Sequence, residues 1–146
     1  MRRIAIPVAL LALALFALGV FGLLRPATDG TYTVEGMFFS GGLGDGRFNG
    51  AGRIVFDNGD VYEGQLLDGR FHGLGVYQSA YGWRYEGDFL DGKPDGVGAY
   101  SSPDGWRYEG AFRGGVFDGS GVITDSSGRT INGNWEDGEW KADGIG

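Results

Sequence analysis

A glycine recurs every 23 residues along most of this chain, each time with the same neighbours, at Gly41, Gly64, Gly87, Gly110 and Gly133. Further glycines follow it at fixed offsets of 5, 9, 11 and 18 residues, in every repeat or in all but the last. A strict period of this length indicates an array of one supersecondary unit. Such an array makes an extended surface, rather than a pocket, the place to look for function.

The second repeat shows which unit it is. Val61–Leu66 alternates, with Tyr62, Gly64 and Leu66 on one face and Glu63 and Gln65 on the other, as in a half-buried strand. Asp68–Gly69 is a strong signal for a type I′ hairpin turn, and Gly73–Tyr77 returns as the second strand. The sequence therefore predicts an all-β fold, an elongated single antiparallel sheet of repeated β-hairpins with 23-residue repeats.

Glycines inside the second strand of each repeat leave gaps that would normally weaken a strand. Tyrosine rings on neighbouring strands can lie over such gaps, a device known as aromatic rescue. The pattern predicts a core stripe made of the large apolar residue of each repeat together with these rings. Its members are Leu66, Phe89, Phe112, Trp135, Tyr62, Tyr85 and Tyr108.

The N-terminal segment has a different character. Residues 4–24 are 21 uncharged, almost wholly apolar residues between Arg2–Arg3 and Arg25. As a helix they would span roughly 31 Å, about the hydrocarbon thickness of a bilayer. The excess of positive charge before the segment favours an N-terminus inside the cytoplasm. We expect a single-pass signal anchor, with the repeats on the periplasmic or extracellular side.

An alternative is a cleaved signal peptide that exits at Ala17-Leu18-Gly19 and leaves a secreted or periplasmic protein. The apolar run continues to Leu24, which is longer than a signal peptide needs and favours the retained anchor. The expected organisation is a basic N-terminus at 1–3, the transmembrane helix at 4–24, a linker at 25–30 and the β domain at 31–146.

Three consecutive copies of one motif carry a resemblance. Tyr62-Glu63-Gly64, Tyr85-Glu86-Gly87 and Tyr108-Glu109-Gly110 are each followed by an apolar residue, glycine and Gly-x-Gly. This pattern resembles the MORN (membrane occupation and recognition nexus) repeat family over about residues 37–140, with repeats starting near 39, 62, 85, 108 and 131, the last partial. The resemblance implies a scaffold or binding module, sometimes associated with membranes and sometimes with self-association.

Residues that carry chemistry are scarce. The chain has no cysteine and a single histidine, His72, which leaves too few members for nucleophilic triads and for cysteine- or histidine-based metal sites. Glu63, Glu86 and Glu109 should lie about 10 Å apart, two strand spacings, which is at or beyond the separation that glycosidases use. The Asp-Gly pairs fit turns better than calcium loops, since calcium loops concentrate several oxygen ligands. We predict no enzyme activity, no catalytic or metal-binding residues and no cofactor.

Charge limits the partners. All 19 Asp and Glu but only nine of the 12 Lys and Arg lie after residue 27, so the repeats carry a net charge of about −10. Nucleic-acid phosphates and anionic lipids repel such a domain. The repeated Trp-Arg-Tyr sets at 83–85 and 106–108 therefore do not indicate nucleic-acid binding. We expect Arg84 to form a cross-strand ion pair instead.

These observations favour a membrane-anchored, non-catalytic scaffold that presents one sheet surface to a protein partner or to itself. The candidate binding surface is the row of repeated glutamates with the adjacent tryptophans and arginines: Glu63, Glu86, Glu109, Trp83, Trp106, Arg84 and Arg107. One alternative is a carbohydrate or cell-envelope binder that uses exposed tryptophans and acids. Another is phospholipid-headgroup binding, which the acidic domain disfavours. No small-molecule substrate is evident.

Overall fold

A computed structural model of the chain describes residues 25–26, 31–34, 37–44 and 47–141, with side-chain environments for 47–141. The predicted transmembrane helix at 4–24 lies outside these residues. Within the described ranges, no helix is both long enough and apolar enough to cross a bilayer.

The described residues form one antiparallel sheet in which every strand pairs with its neighbours in sequence. This confirms the predicted all-β, single-sheet fold of repeated hairpins. The strands are β1 (Arg25–Pro26), β2 (Thr31–Val34), β3 (Met37–Gly44), β4 (Arg47–Val55), β5 (Val61–Leu67), β6 (Arg70–Gln78), β7 (Arg84–Leu90), β8 (Lys93–Ser101), β9 (Arg107–Arg113), β10 (Val116–Thr124), β11 (Thr130–Glu136) and β12 (Glu139–Lys141).

Two kinds of turn alternate along the sheet. Asp68–Gly69, Asp91–Gly92 and Asp137–Gly138 close hairpins, and all six residues have φ between 47° and 87°. Positive φ at both central positions is what a type I′ turn requires, as the Asp-Gly signal predicted. The connections between hairpins are four-residue turns, in which the Gly59 N–H, for example, donates to the Phe56 carbonyl at 3.0 Å.

One face of the sheet, which we call the core face, holds the aromatic core. The predicted stripe of Leu66, Phe89, Phe112, Trp135, Tyr62, Tyr85 and Tyr108 is confirmed, because none of these residues is more than 4% exposed. Further rings from the second strands of the hairpins complete the core: Phe71, Tyr77, Tyr100 and Phe117. The opposite face, which we call the outer face, carries the intervening side chains.

The predicted packing of tyrosine over glycine is confirmed. A Cβ atom placed on Gly75 would lie 2.6 Å from the Tyr62 hydroxyl and 2.8 Å from its ring. The same hydroxyl donates to the Gln65 carbonyl at 2.6 Å, and Tyr85 repeats the contact with Asp88. The bare backbone of the glycine therefore provides the space in which the ring lies flat on the sheet.

Candidate interaction surface

The repeated glutamates lie on the outer face, at the centre of the first strand of each hairpin. Glu63, Glu86 and Glu109 are exposed, whereas the tyrosines that precede them in sequence are completely buried. Strand alternation produces this arrangement, because consecutive side chains point to opposite faces. The structure thus brings the three glutamates onto one surface, two strand spacings or about 10 Å apart.

Aliphatic side chains separate the glutamates. Glu86 is paired across the sheet with Val76 on β6 and with Ala99 on β8. Glu109 is likewise paired with Ala99 and with Val122 on β10. We call this line of alternating acidic and aliphatic residues, which begins at Glu63, the glutamate row.

Arginines neutralise the glutamate row locally. Arg84 contacts Glu86 at 2.6 Å and Arg107 contacts Glu109 at 3.0 Å, both between residues two apart on one strand. The prediction that Arg84 pairs across strands is wrong, because the cross-strand neighbours of Glu86 are Val76 and Ala99. Since these side chains are 39–57% exposed, each pair contributes only about 0–1 kcal/mol to stability.

The tryptophans of the predicted surface lie on the other side of the sheet. Trp83 is 6% exposed and stacks between Tyr77 and Tyr100, with ring centroids at 5.1 and 6.1 Å. Trp106 is partly buried against the same core. Their placement beside the glutamates is therefore wrong. Alternation gives the reason, because residue 83 stands two positions before Tyr85 and belongs to the core face.

The carbohydrate alternative needs a row of exposed tryptophans, and the four tryptophans do not form one. Trp83 and Trp135 are buried, and Trp106 packs against the core. Trp140 is 39% exposed, and its indole lies against Gly133, where it covers the open end of the core.

Exposed aliphatic residues extend the surface beyond what was predicted. Leu74 and Val97 occupy equivalent positions in successive repeats, and each is 69% exposed on the outer face. Leu67 and Leu90, near the hairpin turns, are 49% and 48% exposed. The alternation of Gly73–Tyr77 contained this signal, because a core-facing Tyr77 places Leu74 on the outer face.

The buried polar groups are consumed by the fold. Asp60 is 4% exposed and accepts hydrogen bonds from the Tyr77 hydroxyl at 2.5 Å and from the Ala80 N–H at 2.8 Å. Burial, and then the neighbouring Asp60, raise the pKa of Tyr77 above its ordinary value. Among the described residues, no group of three or more histidine, aspartate or glutamate side chains is placed to hold a metal ion. This arrangement has the chemistry of a docking surface rather than of a reactive site.

Comparison with known proteins identifies the repeat. The family model described as MORN repeat matches residues 39–61, 62–84, 85–107 and 108–128, which together exceed half of the chain. No curated protein matches the chain. Among solved structures, the SAS-4 (dCPAP) TCP domain in complex with a proline-rich motif of Ana2 (dSTIL), from Drosophila melanogaster, shares 16% identity, with 84% of this chain and 89% of that chain covered and a TM-score of 0.24.

Proposed function

Because the chain belongs to the MORN repeat family, we propose that it is a membrane-anchored scaffold whose outer face binds a protein partner. MORN repeats are in general non-catalytic modules of protein and membrane interaction. The proposal goes beyond this in three respects: the membrane anchor, the choice of face and the class of partner.

The glutamate row is the observation that carries the choice of face. Glu63, Glu86 and Glu109 repeat every 23 residues, yet they are exposed and have no part in the core. The aliphatic residues between and beside them, above all Leu74 and Val97, leave apolar surface open to solvent. A surface that combines separated apolar contacts with fixed charges has the composition of a protein interface.

The charge of the domain supports a protein over an anionic ligand. Nine Lys and Arg face 19 Asp and Glu after residue 27, so phosphate groups of lipids or nucleic acids are repelled by the repeats as a whole. On the outer face itself, each of Glu86 and Glu109 is held by an arginine. A protein partner can exchange these intramolecular ion pairs for pairs across the interface.

The apolar segment at 4–24 supports the membrane anchor, and the arginines before it support an extracytoplasmic repeat domain. A reporter that is active only after export, fused to Gly146, should be active. Carbonate washing should leave the protein in the membrane fraction. A soluble product that begins near Val20 would instead identify a cleaved signal peptide.

The docking proposal is tested by charge reversal on the outer face. Glu86→Lys combined with Glu109→Lys should abolish the capture of protein partners from solubilised membranes, while the β-sheet circular dichroism stays unchanged. The matched control is Asp57→Lys with Asp104→Lys, which reverses two exposed acids at the turns. Both double variants change the formal net charge from −7 to −3, so a general charge effect would appear equally in both.

Three results bear on the outcome. Loss of a reproducible partner from the glutamate variant alone supports the glutamate row as the docking surface. Equal loss from both variants reduces the effect to net charge. Capture at wild-type strength by the folded glutamate variant shows that the row is only a solvated face.

A further inference from the structure

The last hairpin of the sheet is incomplete at its outer edge. β12 pairs only with Asn134, Trp135 and Glu136. The preceding part of β11, Thr130–Gly133, is paired with β10 on one side, and among the described residues no strand pairs with it on the other. Edge strands are commonly protected by lysine, proline or a bulge. These four residues contain neither a charged side chain nor a proline.

An apolar side chain stands open beside this edge. Ile131 is 58% exposed, whereas Tyr62, Tyr85 and Tyr108, which occupy the same position in the inner repeats, are 0% exposed. Each inner tyrosine faces a large residue on the following strand: Tyr77, Tyr100 and Ile123 respectively. Ile131 has no such neighbour among the described residues.

The residues that follow β12 are poorly suited to fill the gap. In the inner repeats the second strand passes through a glycine with φ between 59° and 115°, at Gly50, Gly73, Gly96 and Gly119. Ala142 stands at this position in the last repeat, and a residue with a Cβ atom is disfavoured there. In the same register Gly146 would face Ile131, and it has no side chain to cover it.

We propose that the Thr130–Gly133 edge of β11 is a second docking site, which accepts an extended segment of a partner protein as an added antiparallel strand. Addition of a strand to an open edge is a general mode of peptide recognition. The site is separate from the glutamate row and does not depend on the function proposed above.

The inner repeats define the chemistry of the occupant. A glycine faces each glycine at the crossing points, as Gly98 faces Gly87, because a Cβ on Gly87 would lie 2.5 Å from the Gly98 Cα. Two residues further on, a tyrosine faces the tyrosine, as Tyr100 faces Tyr85. The partner segment therefore reads Gly-x-aromatic, with its ring over Ile131.

A folded second copy of this chain cannot supply that segment. Its own Gly-x-Tyr sequences, at 75–77 and 98–100, are already paired on both sides within the sheet. The occupant is therefore an extended segment from a different protein.

The probe for a binding test is the hexapeptide Gly-Val-Gly-Ala-Tyr-Ser, which has the sequence of residues 96–101. The receptor is the full chain in lipid nanodiscs with its isoleucine δ1-methyl groups labelled for NMR. The peptide should shift the signals of Ile131 and Ile123 and leave that of the buried, distant Ile54 unchanged. A control peptide with glycine in place of tyrosine should bind more weakly.

A variant that completes its own hairpin provides the matching test on the protein. Ala142→Gly with Gly146→Tyr restores the bulge glycine and supplies a ring to face Ile131. If its own strand then occupies the edge about nine-tenths of the time, the apparent affinity for the peptide falls about tenfold. The control, Ala142→Ser with Gly146→Asn, changes the same residues without restoring either feature and should bind as the wild type does.

Hydrogen exchange provides a second readout that does not depend on peptide affinity. The amides of Thr130–Gly133 should be less protected in the wild-type protein than in the Ala142→Gly/Gly146→Tyr variant. Strong protection in the monomeric wild type would show that residues 142–146 already fill the edge, and would overturn the proposal. Protection that rises with protein concentration would identify a second copy as the occupant, and absence of any Ile131 shift at millimolar peptide would also overturn it.

Discussion

A tyrosine on the core face and a glutamate on the outer face recur with the same period, yet the residues around them vary to different extents. Position 85 and its equivalents 62 and 108 are always tyrosine, and the glycines beneath the rings do not change. On the outer face, one set of equivalent positions holds Ala51, Leu74, Val97 and Ser120. Packing restricts the first set, because the ring fills the space of a missing Cβ atom. No comparable contact restricts the second.

This difference has a consequence for function. The outer face can change from repeat to repeat without cost to the core, so it can carry the features that distinguish one docking surface from another. In this chain the exposed aliphatic residues concentrate in the second and third repeats, at Leu67, Leu74, Leu90 and Val97. The fourth repeat has Arg113 and Ser120 at the corresponding positions.

Alkaline pH should break the core face as a whole. Burial raises the pKa of Tyr108 to about 12, and it also raises the pKa of Tyr62, Tyr77 and Tyr85. A phenol whose pKa is higher in the folded state holds its proton more tightly there than in the unfolded chain, where the pKa is about 10. Stability is therefore complete below about pH 10 and is lost as the pH rises through about 12.

Circular dichroism and the phenolate absorbance, followed together, test this expectation. The loss of β-sheet signal and the ionisation of the buried tyrosines should coincide. If these phenols ionise while the sheet signal is retained, the rings are not essential to the core face.

A branched side chain under one ring should have the largest effect of any single substitution considered. Gly98→Val places a Cβ atom 2.5 Å from the Tyr85 hydroxyl and 2.7 Å from its ring, so the ring must leave the sheet. Overpacking of this kind typically costs about 1–3 kcal/mol, and we expect the upper end. Urea denaturation measures the loss. Ala99→Val, one residue away on the outer face, is the control and should change stability by less than about 0.5 kcal/mol.

Removing one hydroxyl should give a smaller effect on the same face. Tyr85→Phe keeps the ring over Gly98 but deletes the hydrogen bond to the Asp88 carbonyl, which is 2.8 Å long. The expected destabilisation is about 1 kcal/mol. Glu86→Gln, on the outer face, removes an exposed ion pair and should cost less than that. Equal losses from both variants would contradict the distinction between the faces.

His72 sharpens the comparison, because it marks a place where the outer side of the sheet is also restricted by packing. In three repeats an oxygen of Asn49, Asp95 or Asp118 accepts a backbone N–H from the next hairpin turn. The equivalent residue is His72, whose Nδ1 is buried without a hydrogen-bond partner.

His72→Asn should therefore stabilise the domain by about 1 kcal/mol, because it supplies an oxygen for the turn and removes an unsatisfied nitrogen. The melting temperature of the variant measures this gain. The reciprocal control, Asn49→His, should lower stability by a similar amount. A His72→Asn variant less stable than the wild type would mean that the imidazole makes a favourable contact of its own.

Much of this molecule follows from local residue chemistry. Alternation predicts the strands and their buried face, and the Asp-Gly pairs predict the turns, because both depend on residues close together in the sequence. The same alternation places the glutamates on the outer face, and it would have placed Trp83 and Leu74 correctly if extended to them. A single strand contains all the information that these assignments need.

Only the assembled sheet decides the contacts between repeats. Tyr77 lies 17 residues from Asp60, and the pairing of Arg84 with Glu86 rather than with a neighbouring strand depends on which side chains stand beside it. The exposure of Ile131 also has no local signal, since its alternation matches that of the buried tyrosines. A side chain at one edge is covered or open according to whether another strand arrives there, and that depends on residues far away in the chain.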